Sequence, residues 1–235
     1  MEKITAIVLA AGRGTRMESS VHKQYMLLAG KPLIYYSLLA FQESMADEII
    51  LVTGAGEEDY CREAIVNAYD FSKVSRIVTG GRERYHSVYE GLKAAKGSDY
   101  VLIHDGARPC VTADIIRASV DQARKTGACV VGMPVKDTIK VSDALGFAAA
   151  TPDRSSLWMI QTPQTFSYSL VMEAYTRLFE KEENQKEITD DAMVVERMTA
   201  QRVKLVYGSY ENIKVTTPED MAVAEIFLSK RGKTD

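Results

Sequence analysis

Two cations, Arg16 and Lys23, follow closely on the first apolar run of the chain, Ile4 to Leu9. Between run and cations lies Ala10-Ala11-Gly12-Arg13-Gly14-Thr15. Small residues there let backbone N–H groups approach whatever sits in the loop. Strand, small-residue loop and fixed positive charge compose a phosphate-binding site. The familiar phosphate loops do not account for it. A dinucleotide fingerprint needs a third glycine where Met17 stands, and a Walker loop ends in Gly-Lys-Ser/Thr, which is missing. Taken alone, the loop is also compatible with a tight strand-to-helix turn carrying solvated basic residues.

Three further loops carry polar residues suited to the same chemistry. After Thr79 come Gly80-Gly81, Arg82, Arg84 and Ser87. Adjacent glycines let a planar group reach the main chain, Ser87 can donate and accept, and the Arg82/Arg84 cluster is free to bind a small anion. After Ile103 comes Asp105-Gly106-Ala107-Arg108-Pro109. An aspartate directly after a buried strand suits a hard divalent cation, although an Asx-turn uses the same residue. Thr189-Asp190-Asp191 reads as a second acidic site or as a helix N-cap with acidic first-turn residues. Lys214, between Ile213 and Val215, alternates with apolar neighbours as in a strand. Arg16, Lys23, Asp105 and Lys214 over glycine-lined walls point to nucleoside triphosphate chemistry. Ser-His-Asp order, a reactive-looking cysteine and a carboxylate dyad are all missing, so covalent catalysis is not indicated. In nucleotidyl transfer the protein positions groups and neutralises charge, which fixed cations with Mg²⁺ would do.

These loops need strands ending at one edge, and the pattern supplies them. Strands are expected at Ile4–Leu9, Glu48–Thr53, Arg76–Thr79, Tyr100–His104 and Ala128–Val135. Helices are expected at Leu33–Ser44, Glu57–Ala68, Arg84–Ala95 and Thr112–Thr126. Repeated βα units imply a Rossmann-like, doubly wound, mostly parallel α/β sheet in one domain over residues 1–235, with ligands beyond the carboxyl ends of the strands. The pattern changes at about 136–160. Asp137–Val141 and Leu157–Ile160 alternate polar and apolar residues around a Gly/Ala-rich stretch, as in a projecting β-arm that packs against another subunit. Helices return at Ser167–Glu182 and Thr189–Met198, and strands at Val203–Tyr207 and Asn212–Thr216. A last helix begins at Thr217-Pro218-Glu219-Asp220.

The 235 residues, 46% hydrophobic, can bury one sizeable core. A net charge of −3 argues against a nucleic-acid or membrane-surface binder. No apolar run has the length of a membrane helix, and Met1-Glu2-Lys3 running straight into a strand predicts no signal peptide. Cys61, Cys110 and Cys129 are scattered, as in reduced structural thiols of a cytoplasmic protein. His22, His86 and His104 lack zinc-ligand spacing.

Four motifs in order, Ala10–Arg16 with Lys23-Gln24-Tyr25, His104–Pro109, Thr162-Pro163-Gln164 and Asn212–Asp220, resemble those of the 2-C-methyl-D-erythritol 4-phosphate cytidylyltransferase family over essentially the whole chain. The resemblance implies a nucleotidyltransferase fold, a homodimer interlocked through β-arms, and transfer of the cytidylyl group of CTP to methylerythritol phosphate with Mg²⁺ and release of pyrophosphate. It makes Arg16 and Lys23 the catalytic cations. On the CTP side it places Ala10, Ala11, Gly12, Gly14, Gly81, Ser87, Asp105 and Gly106, with Asp105 also near the metal. On the polyol-phosphate side it places Arg108, Thr138, Arg154, Thr162, Thr189 and Lys214, some of them, Thr138 included, acting from the partner's arm. Two positions depart from the family pattern: His22 stands where proline is common, and Arg82 where an acidic residue is frequent. A ribitol-5-phosphate cytidylyltransferase and a silent nucleotide-binding relative are the alternatives.

Overall fold

The computed structural model describes residues 2–12 and 22–231. Arg16 and Gly14 lie outside the described residues. The first strand, β1 (Ile4–Leu9), is apolar at successive positions and so is buried on both faces. Ile4, Ala6 and Val8 enter one core layer and Ile7 the other. A 3-10 turn at Lys23–Tyr25 and a short ladder, β2 (Leu27–Leu28) with β3 (Lys31–Pro32), lead to α1 (Leu33–Gln42). There follow β4 (Glu48–Thr53), α2 (Glu58–Tyr60) widening into a π-type helix at Cys61–Asn67, and β5 (Val74–Thr79). Next come α3 (Arg84–Ala94), β6 (Tyr100–Asp105), α4 (Ala113–Thr126) and β7 (Ala128–Pro134). The arm carries β8 (Val141–Ser142) and β9 (Ala148–Ala150). The chain continues through β10 (Trp158–Ser167), α5 (Tyr168–Glu180), α6 (Asp191–Met198), β11 (Lys204–Tyr207) and α7 (Pro218–Arg231).

Seven strands form the main sheet in the order β11-β7-β10-β6-β1-β4-β5. β10 runs antiparallel to both its neighbours, and the other pairs are parallel. Alternate residues of β4 feed the two layers: Ile49 and Leu51 pack with Ile34, Leu38 and Phe41 of α1, and Ile50 and Val52 with Val88 and Leu92 of α3. Each such side chain, fully withdrawn from water, contributes about 1.5–3 kcal/mol. The expected doubly wound, mostly parallel sheet is therefore present. Its order switches direction at β1, between β4 and β6, where such sheets bind ligands. Among the described residues no helix is long and apolar enough to cross a membrane.

Three local expectations are corrected. Residues 212–216 are not a strand. Their alternation arises because Ile213 and Val215 dock into a small cluster with Leu28, Leu33 and Cys110, while the Val215 N–H donates to the Ala107 carbonyl at 2.8 Å. In the arm, β8 pairs antiparallel with β9, which occupies the alanine run where the pattern predicts a loop. Leu157–Ile160, expected as the arm's second strand, enters β10 at Trp158 and pairs with β7 in the main sheet.

Candidate active site

β1 and β6 are paired so that Leu9 lies beside Asp105. The loops leaving both strands therefore start from one point on the carboxyl edge. Gly106 permits this approach: a Cβ there would stand 2.9 Å from the Leu9 carbonyl oxygen and overlap the Ile34 side chain. Its N–H donates to that same carbonyl at 2.9 Å.

Asp105 is held from two sides. Arg84, at the start of α3, donates from Nε to Oδ1 at 3.0 Å, and Lys214 reaches Oδ2 at 2.7 Å. Burial alone would push the Asp105 carboxyl up, but the Arg84, Lys214 and Arg108 charges outweigh it and hold the group well below the usual carboxylate range. The other two guanidinium nitrogens of Arg84 fork onto Asp191 at 2.9 and 2.8 Å, a bidentate pairing. Asp191, fully buried, also accepts the Tyr175 O–H at 2.6 Å. Burial disfavours the charge on Arg84, yet Asp191 and Asp105 more than offset this and keep it firmly protonated.

A second chain of hydrogen bonds fixes Asp105 from beneath. Its N–H donates to Thr162 Oγ1 at 3.1 Å, and Thr162 Oγ1 lies 3.0 Å from His104 Nδ1. His104 Nε2 lies 3.3 Å from the Arg108 carbonyl. Burial drives the His104 pKa down to about 3, so the ring is neutral. The network then assigns the tautomer: Thr162 O–H donates to Nδ1 and Nε2–H donates to Arg108.

Two clefts open on either side of this support. The first, about 250 Å³, is lined by Ala10, Gly12, Lys23, Thr216 and the Arg84–Asp105–Lys214 group. The second, about 300 Å³, shares Arg84, Asp105 and Lys214 and adds Arg108, Thr162 and Thr189. Arg108 donates to the Asn212 and Ile160 carbonyls at 2.8 and 3.3 Å, while its buried Nε has no hydrogen-bond partner among the described residues. A shared cationic wall between two polar clefts can hold two anionic groups against one another.

The structure thus brings Ala10, Gly12, Lys23, Asp105 and Lys214 to one cleft, and Arg108, Thr162 and Thr189 with Asp105 and Lys214 to the other. Gly106 supports their junction without lining either. Ala11, Gly81 and Ser87 form a neighbouring turn. Ser87 accepts the Gly81 N–H at 3.1 Å, and a Cβ on Gly80 would meet Ala11 Cβ at 2.5 Å and Ser87 Oγ at 2.7 Å. That hydroxyl is engaged by its own chain, not presented to either cleft. Thr138 and Arg154 are exposed on the arm and line neither cleft of their own chain. Arg84, expected to be free for an anion, is paired with two carboxylates; Asp191, which the sequence offers only within a second acidic site or a helix first turn, is one of them, and Tyr175 carries no site role in the sequence. The available signal was an arginine opening a helix just after a double glycine. Its partner Asp191 lies 107 positions away, and nothing local announces it.

Both Asp105 oxygens are paired with cations, Oδ1 with Arg84 and Oδ2 with Lys214. A divalent ion there would stand against Arg84 and Lys214. Among the described residues no group of three or more His, Cys, Asp or Glu could hold a metal.

The family model for IspD, 2-C-methyl-D-erythritol 4-phosphate cytidylyltransferase, matches residues 4–230. A protein of that name from Lachnospira eligens is 54% identical over 225 residues, covering 95% of this chain and 98% of the relative. One from Lachnoclostridium phytofermentans is 51% identical over 228 residues, covering 97% of each. The crystal structure of 4-diphosphocytidyl-2C-methyl-D-erythritol synthase from Anaerococcus prevotii superposes with a TM-score of 0.84 at 34% identity, covering 97% of this chain and 96% of that one.

Proposed function

Because the chain belongs to the 2-C-methyl-D-erythritol 4-phosphate cytidylyltransferase family, we propose that its two clefts bring CTP and methylerythritol phosphate together for cytidylyl transfer. The observation that carries this reading is the Arg84–Asp105–Lys214 wall common to both clefts. CTP occupies the first cleft, with Lys23 and Arg16 on its triphosphate. The polyol phosphate occupies the second, where the unpaired Nε of Arg108 supplies a donor and an anion relieves the cost of burying that charge. Lys214 stands where the two phosphates meet.

An oxygen of the polyol phosphate attacks the α-phosphorus of CTP. The bond to the β-phosphate bridging oxygen breaks, and pyrophosphate leaves with the electron pair. The chain's residues hold the groups in line and stabilise the growing negative charge. Lys23 and Lys214 do so from fixed positions, and Asp105 orients Lys214. Thr189 and Thr162 flank the acceptor, Thr162 with its hydroxyl engaged by His104 and the Asp105 N–H. Mg²⁺ would neutralise charge on the phosphates of CTP beside the Asp105 carboxylate, a mode that suits this ion.

The arm supports a homodimer. Val141 is 49% exposed, Phe147 70% and Leu145 82%, an apolar surface that a second subunit would cover. Thr138 and Arg154 then serve the partner's acceptor cleft. The three cysteines are buried free thiols, which supports a reducing, cytoplasmic setting.

The test is pyrophosphate release with each nucleoside triphosphate, with methylerythritol phosphate or ribitol phosphate as acceptor. CTP with methylerythritol phosphate is expected to give the highest kcat/KM. Preference for ribitol phosphate, or CTP binding without pyrophosphate release, overturns the reading.

A further inference from the structure

The residues around Lys23 are each tied down by a side chain. Gln24 Nε2 donates to the Ala10 carbonyl at 2.6 Å and fixes the segment to the exit of β1. The Tyr25 O–H donates to Glu57 Oε2 at 2.7 Å. His22 Nδ1 pairs with Glu57 Oε1. Glu57 Oε2 also accepts the Gly54 N–H at 3.1 Å, which anchors it to the turn leaving β4. One carboxylate, 14% exposed, therefore gathers the residue before Lys23, the second residue after it, and the rigid end of a central strand. Burial, with the Cys61 and Glu57 contacts, pushes the Tyr25 phenol up, so it keeps the proton it donates. Lys23 lines the nucleotide cleft; His22, Tyr25 and Glu57 do not.

We infer that Glu57 is a positioning residue: it holds the segment on either side of Lys23 so that the ammonium group stays at the phosphate cleft. This rests on the assignment of Lys23 to the triphosphate. A displacement of about 1 Å at a charge-stabilising group can lower a rate about 100-fold, so an anchor of this kind acts on kcat more than on binding. The pairing with His22 gives this chain a side-chain contact to Glu57 at a position where a proline would offer none.

The test compares Glu57→Ala, Glu57→Gln and Tyr25→Phe in pyrophosphate release. Glu57→Ala is expected to lower kcat by about 10- to 100-fold while the KM for CTP changes much less. Glu57→Gln, which keeps acceptors for Tyr25 and Gly54, and Tyr25→Phe, which loses one hydroxyl, fall between it and the parent. In a Lys23→Ala background, Glu57→Ala is expected to have little further effect, because the two act as one unit. An equal drop in both backgrounds overturns the inference. Amide exchange supplies an arm independent of turnover. The Tyr25 and Met26 N–H groups bond to the His22 and Lys23 carbonyls at 2.9 and 3.1 Å, and Glu57→Ala should speed their exchange while β1 and β6 stay protected. Unchanged exchange at those amides also overturns the inference. If the parent protein shows no turnover, the proposed reaction falls, while the exchange result still decides whether Glu57 anchors the segment.

Discussion

At the carboxyl ends of β1 and β6 the polar contacts span the chain: Arg84 bonds to Asp191 across 107 positions, Arg108 to Asn212 across 104, and Asp105 to Thr162 across 57. In the arm they stay within it, as from Arg154 to the Lys136 carbonyl across 18 positions. Lys140 bonds to Thr151 across 11 positions, and Asp143 and Asp153 to residues two to four away. The first region keeps its geometry because α3, α6, β10 and the 212–216 loop each constrain the same few charges. The second has a two-strand ladder and an exposed run from Lys136 to Thr151, so its own chain does little to fix it. A site that must place phosphate groups accurately belongs on the first kind of structure. A segment to be completed by a second subunit can be the other kind.

The contrast can be broken in four places. Lys23→Ala, which removes a charge from the nucleotide cleft, is expected to cost about 2.7–4 kcal/mol in kcat, with CTP affinity falling less. Steady-state kinetics beside CTP titration measures both; an unchanged kcat removes Lys23 from the mechanism. Arg84→Ala strands the fully buried Asp191 and opens one side of Asp105. It should cost about 3 kcal/mol of stability, the low end for breaking a buried pair because Arg84 is partly exposed. Urea denaturation reads this, and a loss under about 1 kcal/mol would deny the pair its structural role.

The third test is pH. His104 sits at about 3 in the fold against 6.5 ordinarily. Between those values the unfolded chain carries the extra proton, so stability falls as pH drops, by about 1.4 kcal/mol per unit. Asp105, depressed below its ordinary 3.8, adds to the loss only below that value. Denaturation at pH 7 and 5 therefore isolates the histidine, and His104→Gln should flatten the slope. The smallest effect belongs to the arm. Phe147→Ser, at a 70% exposed position, should leave the folding of the single chain within about 0.5 kcal/mol while weakening the proposed association of two subunits. Sedimentation over a concentration series separates the two effects, and an unaltered dimer would remove Phe147 from the interface.

What could be read from the sequence follows the same division. The buried strands were legible because their apolar runs are continuous, and Asp105 stood out as the charge ending one of them. Lys214 was assigned to the site even though its segment was read as a strand, since docking of Ile213 and Val215 on a hydrophobic cluster imitates strand alternation. Arg84 was visible as a loop cation, but its role depends on Asp191, and no local pattern links residues so far apart. β9 was missed because three alanines carry little strand signal, their place set by pairing with Val141 and Ser142. Asp190 explains itself once seen: its carboxylate accepts the Met193 N–H at 2.9 Å and caps α6, the simpler of the two readings of that acidic stretch.

β10 contains 10 residues and starts at the foot of the arm. It pairs with β7 at Trp158–Ile160 and again from Gln164, where it also pairs with β6, and Thr162 lies in the irregularity between the two stretches. Whatever grips the arm from outside is thus pulling on the same strand whose Thr162 hydroxyl holds the Asp105 N–H and His104.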